Sequence, residues 1–176
     1  MCIRDRYCDA LGNRERETKV LYPPLDLSHF QVGGRDEALR QELGFGAEDR
    51  VMVYMGSFFY FSGLRDALKE FAYIAQEDPT LKLLLIGGGE EGSALRRAVV
   101  ELGIQSKVVF TGFIGYESLP RYLKVGDVAL NTLEPSLVAN AALPNKVLQY
   151  LAAGLPVVST KLDGLFSVFE SVSEIY

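Results

Sequence analysis

NAALPNKVLQYLAAGLPVVST, the sequence of Asn140–Thr160, predicts a loop, a short helix, a tight turn and a buried strand, in that order. Pro144 suits the first turn of a helix, where a missing N–H costs nothing. Gly154 suits the end of that helix, because glycine adopts a positive φ with little strain. Pro156 then opens the run Val157–Thr160, which we predict to be a strand.

The helix predicted in this segment carries a lysine at its amino end. In an open α/β sheet, helix amino ends and strand carboxyl ends face the same ligand crevice. Lys146 lies one residue inside the positive end of the helix dipole, which makes it a candidate anion site. The alternative is a surface lysine at the start of a packing helix. The predicted apolar face consists of Val147, Leu148, Leu151 and Ala152, and the polar face of Lys146 and Gln149.

Strands and helices alternate through the rest of the chain. We predict strands at Val51–Gly56, Leu81–Ile86, Lys107–Thr111 and Asp127–Asn131, and helices at Asp36–Leu43, Leu64–Gln76, Ser93–Leu102 and Ser118–Val125. The strands are apolar throughout, as is typical of a sheet covered on both faces. This alternation predicts an α/β fold with a doubly wound parallel sheet and right-handed crossovers. No closing helix, that is, no final helix packed on the sheet to complete the domain, is predicted after Gly164.

Small residues follow successive strands. The first three strands end at Gly56-Ser57, Gly87–Gly89 and Gly112, and the last at Ser159-Thr160. Small residues at strand carboxyl ends leave room for a ligand to approach the backbone. Ordinary turn chemistry explains any single glycine, but it explains the whole row less well.

The composition indicates a globular domain with a core. Hydrophobic residues make up 48% and charged residues 23% of the chain, and the net charge of −5 argues against a nucleic-acid partner. No apolar run approaches the roughly 20 residues that span a bilayer. Cys2 and Cys8 fall short of a metal-ligand set, so we expect no metal site. The single histidine, His29, is predicted to lie in a loop and supports no histidine acid–base chemistry.

One glycine motif suggests a different ligand. Gly87, Gly89 and Gly92 satisfy G-x-G-x-x-G between a strand and a helix, the pattern of dinucleotide binding. However, the next strand ends at Thr111-Gly112 without the acidic residue that would bind ribose. Glu90-Glu91 also place negative charge where a pyrophosphate would lie. NAD binding is therefore kept as a distant alternative.

Five segments have the order and spacing of a known family. They are VLYPPLDLSHF (Val20–Phe30), VYMGSFFYFSGL (Val53–Leu64), LKLLLIGGG (Leu81–Gly89), KVVFTGFIGYESLPRYLKVGDVALNT (Lys107–Thr132) and PNKVLQYLAAGLPVVST (Pro144–Thr160). Together they resemble the C-terminal, donor-binding domain of family 4 glycosyltransferases, which are retaining enzymes of the GT-B fold. The resemblance implies a Rossmann-like domain that forms one half of that fold.

The resemblance also bears on the ends of the chain. Residues 1–6, MCIRDR, resemble the translated end of a sequencing adapter, and we interpret residues 1–19 as that scar with a remnant of the interdomain region. Residues 20–176 would form the nucleotide-sugar-binding domain, incomplete at its C-terminus. The chain is thus expected to be a fragment truncated at both ends.

The resemblance implies a donor site for a nucleoside diphosphate sugar, commonly of uridine or guanosine. The base would lie against the backbone of Gly112, Phe113 and Ile114. The ribose would reach Gln149. The diphosphate would lie near two pairs of neighbours, Gly56-Ser57 and Asn145-Lys146. Retaining transfer in this fold needs positive groups that stabilise the departing diphosphate, and no metal or further cofactor is expected in this domain.

Several positions depart from the family pattern. Where many members carry an arginine and a lysine, this chain has Ser57 and Ser62, and where many carry two glutamates it has Ala141 and Gln149. LPNK (Leu143–Lys146) resembles a branch that lacks the first glutamate. Glu134 is a substitute candidate, with a solvated loop glutamate as its alternative. We therefore assign no catalytic residue, and Lys146 is the nearby cation that we nominate.

The resemblance implies a bacterial hexosyltransferase in glycan or polysaccharide biosynthesis. Its acceptor, a glycan or a lipid-linked acceptor, would be held by the missing N-terminal domain, so the isolated chain is expected to be inactive. The protein would be cytoplasmic, or peripheral at the inner face of the membrane through its missing region. The alternative, which the neutral substitutions favour, is a non-catalytic relative that binds a sugar nucleotide or a partner.

Overall fold

The computed structural model describes residues 24–30 and 34–169. The strands are β1 (Arg50–Met55), β2 (Leu81–Ile86), β3 (Val108–Gly112), β4 (Val128–Asn131) and β5 (Val157–Ser159). The helices are α1 (Leu27–Phe30), α2 (Glu37–Glu42), α3 (Leu64–Glu77), α4 (Gly92–Glu101), α5 (Leu119–Leu123), α6 (Asn145–Ala152) and α7 (Asp163–Phe169). Short 3₁₀ turns occur at Tyr60–Ser62, Gln105–Lys107, Tyr116–Ser118 and Ala139–Ala141.

The five strands form one parallel sheet in the order β3-β2-β1-β4-β5. The chain moves outward in one direction from β1 to β3 and then returns to the other side of β1 for β4. The strand order therefore reverses between β1 and β4, which is where open α/β sheets bind their ligands. The α/β fold with a doubly wound parallel sheet, predicted from the alternation of elements, is confirmed.

Two apolar layers cover the sheet, one on each face, as the continuous apolar strands require. Because side chains alternate along a strand, Val53 of β1 faces one layer and Tyr54 the other. The layer on the Val53 side contains residues of α1, α2, α5, α6 and α7. The layer on the Tyr54 side contains residues of α3 and α4. The helix with Lys146 thus packs on the face opposite to the Tyr54 ring.

The predicted elements differ from the observed ones mostly by one or two residues at their ends, but two predictions were wrong. His29 lies in helix α1, whereas a loop was expected, and its ring stacks on Tyr116 with 4.6 Å between centroids. A closing helix, α7, does follow Leu162, and Gly164 lies inside it. A Cβ on Gly164 would lie 2.9 Å from the carbonyl oxygen of Asn140, so glycine here allows close helix packing.

The buried face of α6 also differs from the predicted one. Its fully buried side chains are Val147 and Tyr150, whereas Leu148, Leu151 and Ala152 are only partly buried. Tyr150 was left off the predicted apolar face because tyrosine carries a polar hydroxyl, although most of its side chain is apolar and suits a core.

Some predictions fall outside the described residues. These are the scar and remnant at 1–19 and the two N-terminal cysteines. Among the helices that the structure does describe, none has the length and apolar character needed to cross a membrane.

Candidate functional site

A gap opens between β1 and β4 at the carboxyl edge of the sheet. The two strands pair only at Met52–Val128 and Val53–Ala129, whereas β1 stays paired with β2 as far as Met55. Beyond the last pair, Tyr150 of α6 provides the hydrogen-bond acceptor for β1 that β4 no longer provides. Its hydroxyl accepts a hydrogen bond of 2.7 Å from the backbone N–H of Met55. A side chain thus accepts the last backbone N–H that β1 directs toward β4, and the two strands stay apart at this point.

The side chain of Lys146 reaches across this gap. Its Nζ donates a hydrogen bond of 3.1 Å to the hydroxyl of Tyr54 and lies 4.2 Å from the centroid of the Tyr54 ring. The same Nζ lies 3.4 Å from where a Cβ would stand on Gly56. The lysine therefore points toward the carboxyl end of β1, as predicted, and not toward solvent beside its helix.

Among the residues that the structure describes, the ammonium of Lys146 has no carboxylate beside it. Ion pairs between described residues involve other cations, and Lys146 takes part in none of them. Burial lowers the pKa of Lys146 from its ordinary value near 10.5 to about 8. Burial likewise raises the pKa of Tyr54 to about 12, so the phenol stays neutral. The gap thus holds a partly desolvated positive charge that is not neutralised.

The amino end of α6 adds to this positive potential. Its N-cap residue is Pro144, which makes no side-chain capping hydrogen bond. The N–H of Val147 donates to the carbonyl of Pro144 at 3.0 Å, so the N–H groups of Asn145 and Lys146 are the two that no described residue accepts, and they are left for an external acceptor or water. Asn145, the first helical residue, is exposed, and Lys146 follows it. A desolvated ammonium beside a helix amino end favours an anion such as a phosphate group.

The end of β3 lies along the same edge of the sheet. Gly87 links it to β1, because the Gly87 N–H donates to the carbonyl of Gly112 while its Cα lies against the carbonyl of Gly56. After Gly112, the side chain of Phe113 is 78% exposed, whereas Ile114 is partly buried against the core. The structure thus places Lys146 at the end of β1, and the end of β3 lies on the same edge of the sheet with β2 between them.

The remaining predicted site residues have different surroundings. Ser57 is exposed, and its carbonyl accepts a hydrogen bond from the Tyr54 hydroxyl at 3.3 Å. Gln149 lies one turn along α6 from Lys146 and is partly buried. Ser62 is 3% exposed, and Ala141 lies in a 3₁₀ turn. None of these four side chains supplies a charge.

Part of the glycine row serves packing and not ligand approach. A Cβ on Gly87 would lie 2.1 Å from the carbonyl oxygen of Gly56, and one on Gly89 would lie 2.7 Å from that of Phe58. The Phe58 carbonyl also accepts the N–H of Glu91 at the start of α4. The backbone of Phe58 therefore occupies the space beside these glycines that a dinucleotide pyrophosphate would need in the G-x-G-x-x-G alternative. At Gly112, by contrast, no described residue other than its chain neighbours has an atom within 4 Å of the Cβ position.

Two residues of this site, Tyr54 and Tyr150, were not predicted from the sequence. Tyr54 was counted in an apolar strand and Tyr150 was assigned to neither face of its helix, whereas both are at most 1% exposed. A buried tyrosine usually hydrogen-bonds through its hydroxyl, so each phenol predicted a polar partner near the end of its element. Which partner it would find depends on the crossing of α6 over the sheet, and one strand or helix does not reveal that.

Comparison with curated proteins gives glycosyltransferases of several organisms. The chain is 25% identical to an uncharacterized glycosyltransferase of Methanocaldococcus jannaschii, over 96% of this chain and 42% of the relative. It is 30% identical to the lipopolysaccharide core biosynthesis glycosyltransferase LpsE of Rhizobium meliloti, over 85% of this chain and 39% of the relative. The chain thus spans less than half the length of these relatives.

A solved structure and a family model agree with these relatives. HepE of Anabaena, determined in complex with UDP-glucose, superposes with a TM-score of 0.75 at 25% identity, over 91% of this chain and 43% of HepE. The model of the family "Glycosyl transferases group 1" matches residues 49–174. That range takes in all five strands of the sheet and the Lys146 site, and the chain belongs to this family of glycosyltransferases.

Proposed function

We propose that the chain binds the diphosphate of a nucleotide-sugar donor in the gap between β1 and β4. The observation that carries the proposal is the position of Lys146. Its Nζ lies 3.4 Å from the Cβ position of Gly56, without a carboxylate partner among the described residues, beside the uncapped amino end of α6. An unneutralised ammonium and free helix N–H groups at one point favour a ligand with adjacent negative charges.

The nucleoside part of the donor would lie toward β3. Phe113 exposes an aromatic ring beside Gly112, and the backbone there is open on the Cβ side of the glycine. The ribose would reach Gln149, whose amide donates and accepts hydrogen bonds without charge. The complex of HepE with UDP-glucose supports a uridine donor, and a guanosine donor is the other candidate.

The reaction we propose is transfer of a hexose with retention of configuration. As the bond from the sugar to the diphosphate breaks, negative charge grows on the leaving oxygen, and Lys146 and the amino end of α6 stabilise it. Since this domain supplies positive charge from its own residues, we expect no metal cofactor. The likeness to LpsE supports a role in glycan assembly. The acceptor, a glycan or a lipid-linked acceptor, would be held by a separate N-terminal domain, and the reaction would take place in the cytoplasm or at the inner face of the membrane.

Calorimetric titration with UDP-glucose and GDP-mannose tests the donor site. Lys146→Ala should weaken donor binding by about 1.5–3 kcal/mol, the contribution of a charge-assisted phosphate contact. Lys69→Ala is the matched control, because Lys69 is an exposed lysine paired with Asp66 on α3. If the wild-type chain gave neither heat nor a thermal shift with any donor, the proposed function would be wrong.

A second candidate is a relative that binds a sugar nucleotide without transferring the sugar. The side chains of Ser57, Ser62 and Gln149 favour it, because they are neutral at positions where many family members carry a charge. Lys146 is then the cation that we nominate for the diphosphate. Joining this chain to an N-terminal domain of the family and assaying donor turnover separates the two candidates. Donor binding without turnover in such a protein would support the second. Turnover by this chain alone would contradict our assignment of the acceptor to a separate domain.

A further inference from the structure

We propose that Tyr54 is a positioning residue that holds the ammonium of Lys146 in the gap between β1 and β4, ready for the donor diphosphate. The inference rests on the proposed function and assigns a part of it to a residue of the opposite sheet face. A lysine has a long side chain with several rotatable bonds, so an ordered ammonium needs contacts that fix it. Tyr54 supplies two such contacts to the same nitrogen.

The two contacts use different parts of the tyrosine. The Nζ of Lys146 lies 4.2 Å from the ring centroid, where the electron-rich face attracts a cation, and it donates at 3.1 Å to the phenol oxygen. The phenol hydrogen is directed elsewhere, because the hydroxyl donates to the carbonyl of Ser57 at 3.3 Å. The oxygen is therefore left as an acceptor for the ammonium.

Tyr54 is itself held firmly. Its side chain is 1% exposed, and its ring lies 6.1 Å from that of Phe58, within the layer that packs on α3 and α4. Lys146 comes from α6, which packs on the other face of the sheet. Their contact therefore crosses the carboxyl edge of the sheet at the gap, and it places the ammonium where a ligand would enter.

A neutral partner suits this role better than an acidic one. A carboxylate beside Lys146 would fix the side chain but would also cancel the charge that a diphosphate needs. The Tyr54 phenol stays neutral because burial raises its pKa to about 12. The ammonium has three N–H donors and gives one to the phenol, so two remain for phosphate oxygens. Tyr54 thus orders the cation without neutralising it.

A double-mutant cycle on the full chain tests this inference, with Tyr54→Phe, Lys146→Met and the combined variant titrated with UDP-glucose and GDP-mannose. Tyr54→Phe keeps the ring and removes the hydroxyl, so we expect donor binding about three- to tenfold weaker when Lys146 is present. In the Lys146→Met background the same change should have no effect, because the positioned group is gone. A purely structural role of the hydroxyl would give equal losses in both backgrounds.

The possible results separate the inference from the proposed function. If wild type binds a donor and Tyr54→Phe binds it equally well, or if the loss persists without Lys146, the positioning role is wrong while the donor site stands. If wild type binds neither donor, the proposed function fails and takes the inference with it. A loss that appears only in the presence of Lys146 supports both.

Discussion

The hydroxyl of Tyr150 accepts a hydrogen bond of 2.7 Å from the backbone N–H of Met55, a bond that a neighbouring strand would otherwise accept. Met55 is the last residue of β1, and β4 has already parted from β1 two residues earlier. A buried N–H without an acceptor would cost free energy comparable to a lost hydrogen bond. The tyrosine therefore lets the two strands separate at the crevice without leaving the backbone unsatisfied, and it ties α6 to the sheet.

Tyr150→Phe should reduce stability by about 1–3 kcal/mol, since it leaves the Met55 N–H without its acceptor in a buried place. Urea unfolding followed by circular dichroism measures this change. Tyr73→Phe is the control, because Tyr73 is 66% exposed and its variant should unfold like wild type. Equal stability of the Tyr150 variant and wild type would show that water satisfies the N–H.

Gly87→Ala should unfold the protein or cost more than about 3 kcal/mol. Gly87 has a φ of +124°, and a Cβ there would lie 2.1 Å from the backbone oxygen of Gly56, which cannot move without shifting β1. Gly103→Ala is the control, because its φ of +70° is also positive but no atom of the described part of the chain, its sequence neighbours apart, lies within 4 Å of its Cβ position. It should cost only about 1 kcal/mol.

Thermal unfolding of the two glycine variants measures how much more Gly87→Ala costs than Gly103→Ala. If the two losses are similar, the close approach of Gly87 to the Gly56 carbonyl contributes little, and the conformational strain explains both. A larger loss at Gly87 reflects the conflict with the Gly56 carbonyl together with a φ that lies outside the left-handed helical region occupied by Gly103.

The fold was predictable because its strongest signals are local. A strand covered on both faces is an unbroken apolar run, and β2, Leu81–Ile86, was predicted to the residue. The family was also predicted correctly, since its segments are spread in order along the chain. The direction of Lys146 followed from general geometry, because helix amino ends and strand carboxyl ends meet at one edge of the sheet.

What the sequence did not reveal depends on contacts between distant elements. The partner of Lys146 is Tyr54, 92 residues away along the chain, on an element of the opposite core layer. Helix α1 has only four residues, and so short a helix has little stability of its own. In the structure Phe30 is buried and His29 stacks on Tyr116, and these are contacts with distant parts of the chain. No closing helix was predicted after Gly164, but Gly164 lies inside α7, where it closely approaches Asn140.

Lys146→Met should raise stability at pH 7 by about 1–2 kcal/mol, although it weakens donor binding. Burial lowers the folded-state pKa of Lys146 to about 8, so folding at pH 7 desolvates a charge that the unfolded chain leaves in water. This cost is fully present below pH 8 and disappears as the pH rises toward 10.5, the ordinary value. The stability difference between variant and wild type should therefore shrink over that range.

Urea unfolding of wild type and Lys146→Met at pH 7, 8, 9 and 10 checks the sign of this effect. Wild type should gain on the variant as the pH rises, because its unfolded state binds one more proton than its folded state between the two pKa values. A constant difference over the range would mean that the ammonium is solvated in the folded protein and that its pKa is ordinary. Lys69→Met, at an exposed lysine, should show no such trend.

Donor affinity should fall as the pH rises through about 8, the pKa that burial gives Lys146 in the free protein. Only the charged lysine attracts a diphosphate, and the charged fraction drops about tenfold between pH 7 and pH 9 for this pKa. Calorimetric titration with UDP-glucose should therefore give a Kd about tenfold higher at pH 9. Lys146→Arg is the matched control, because a guanidinium stays charged throughout and shares any titration of the ligand itself. If both proteins lost affinity in parallel, the fall would belong to the nucleotide, and Lys146 would not be the group that meets its phosphates.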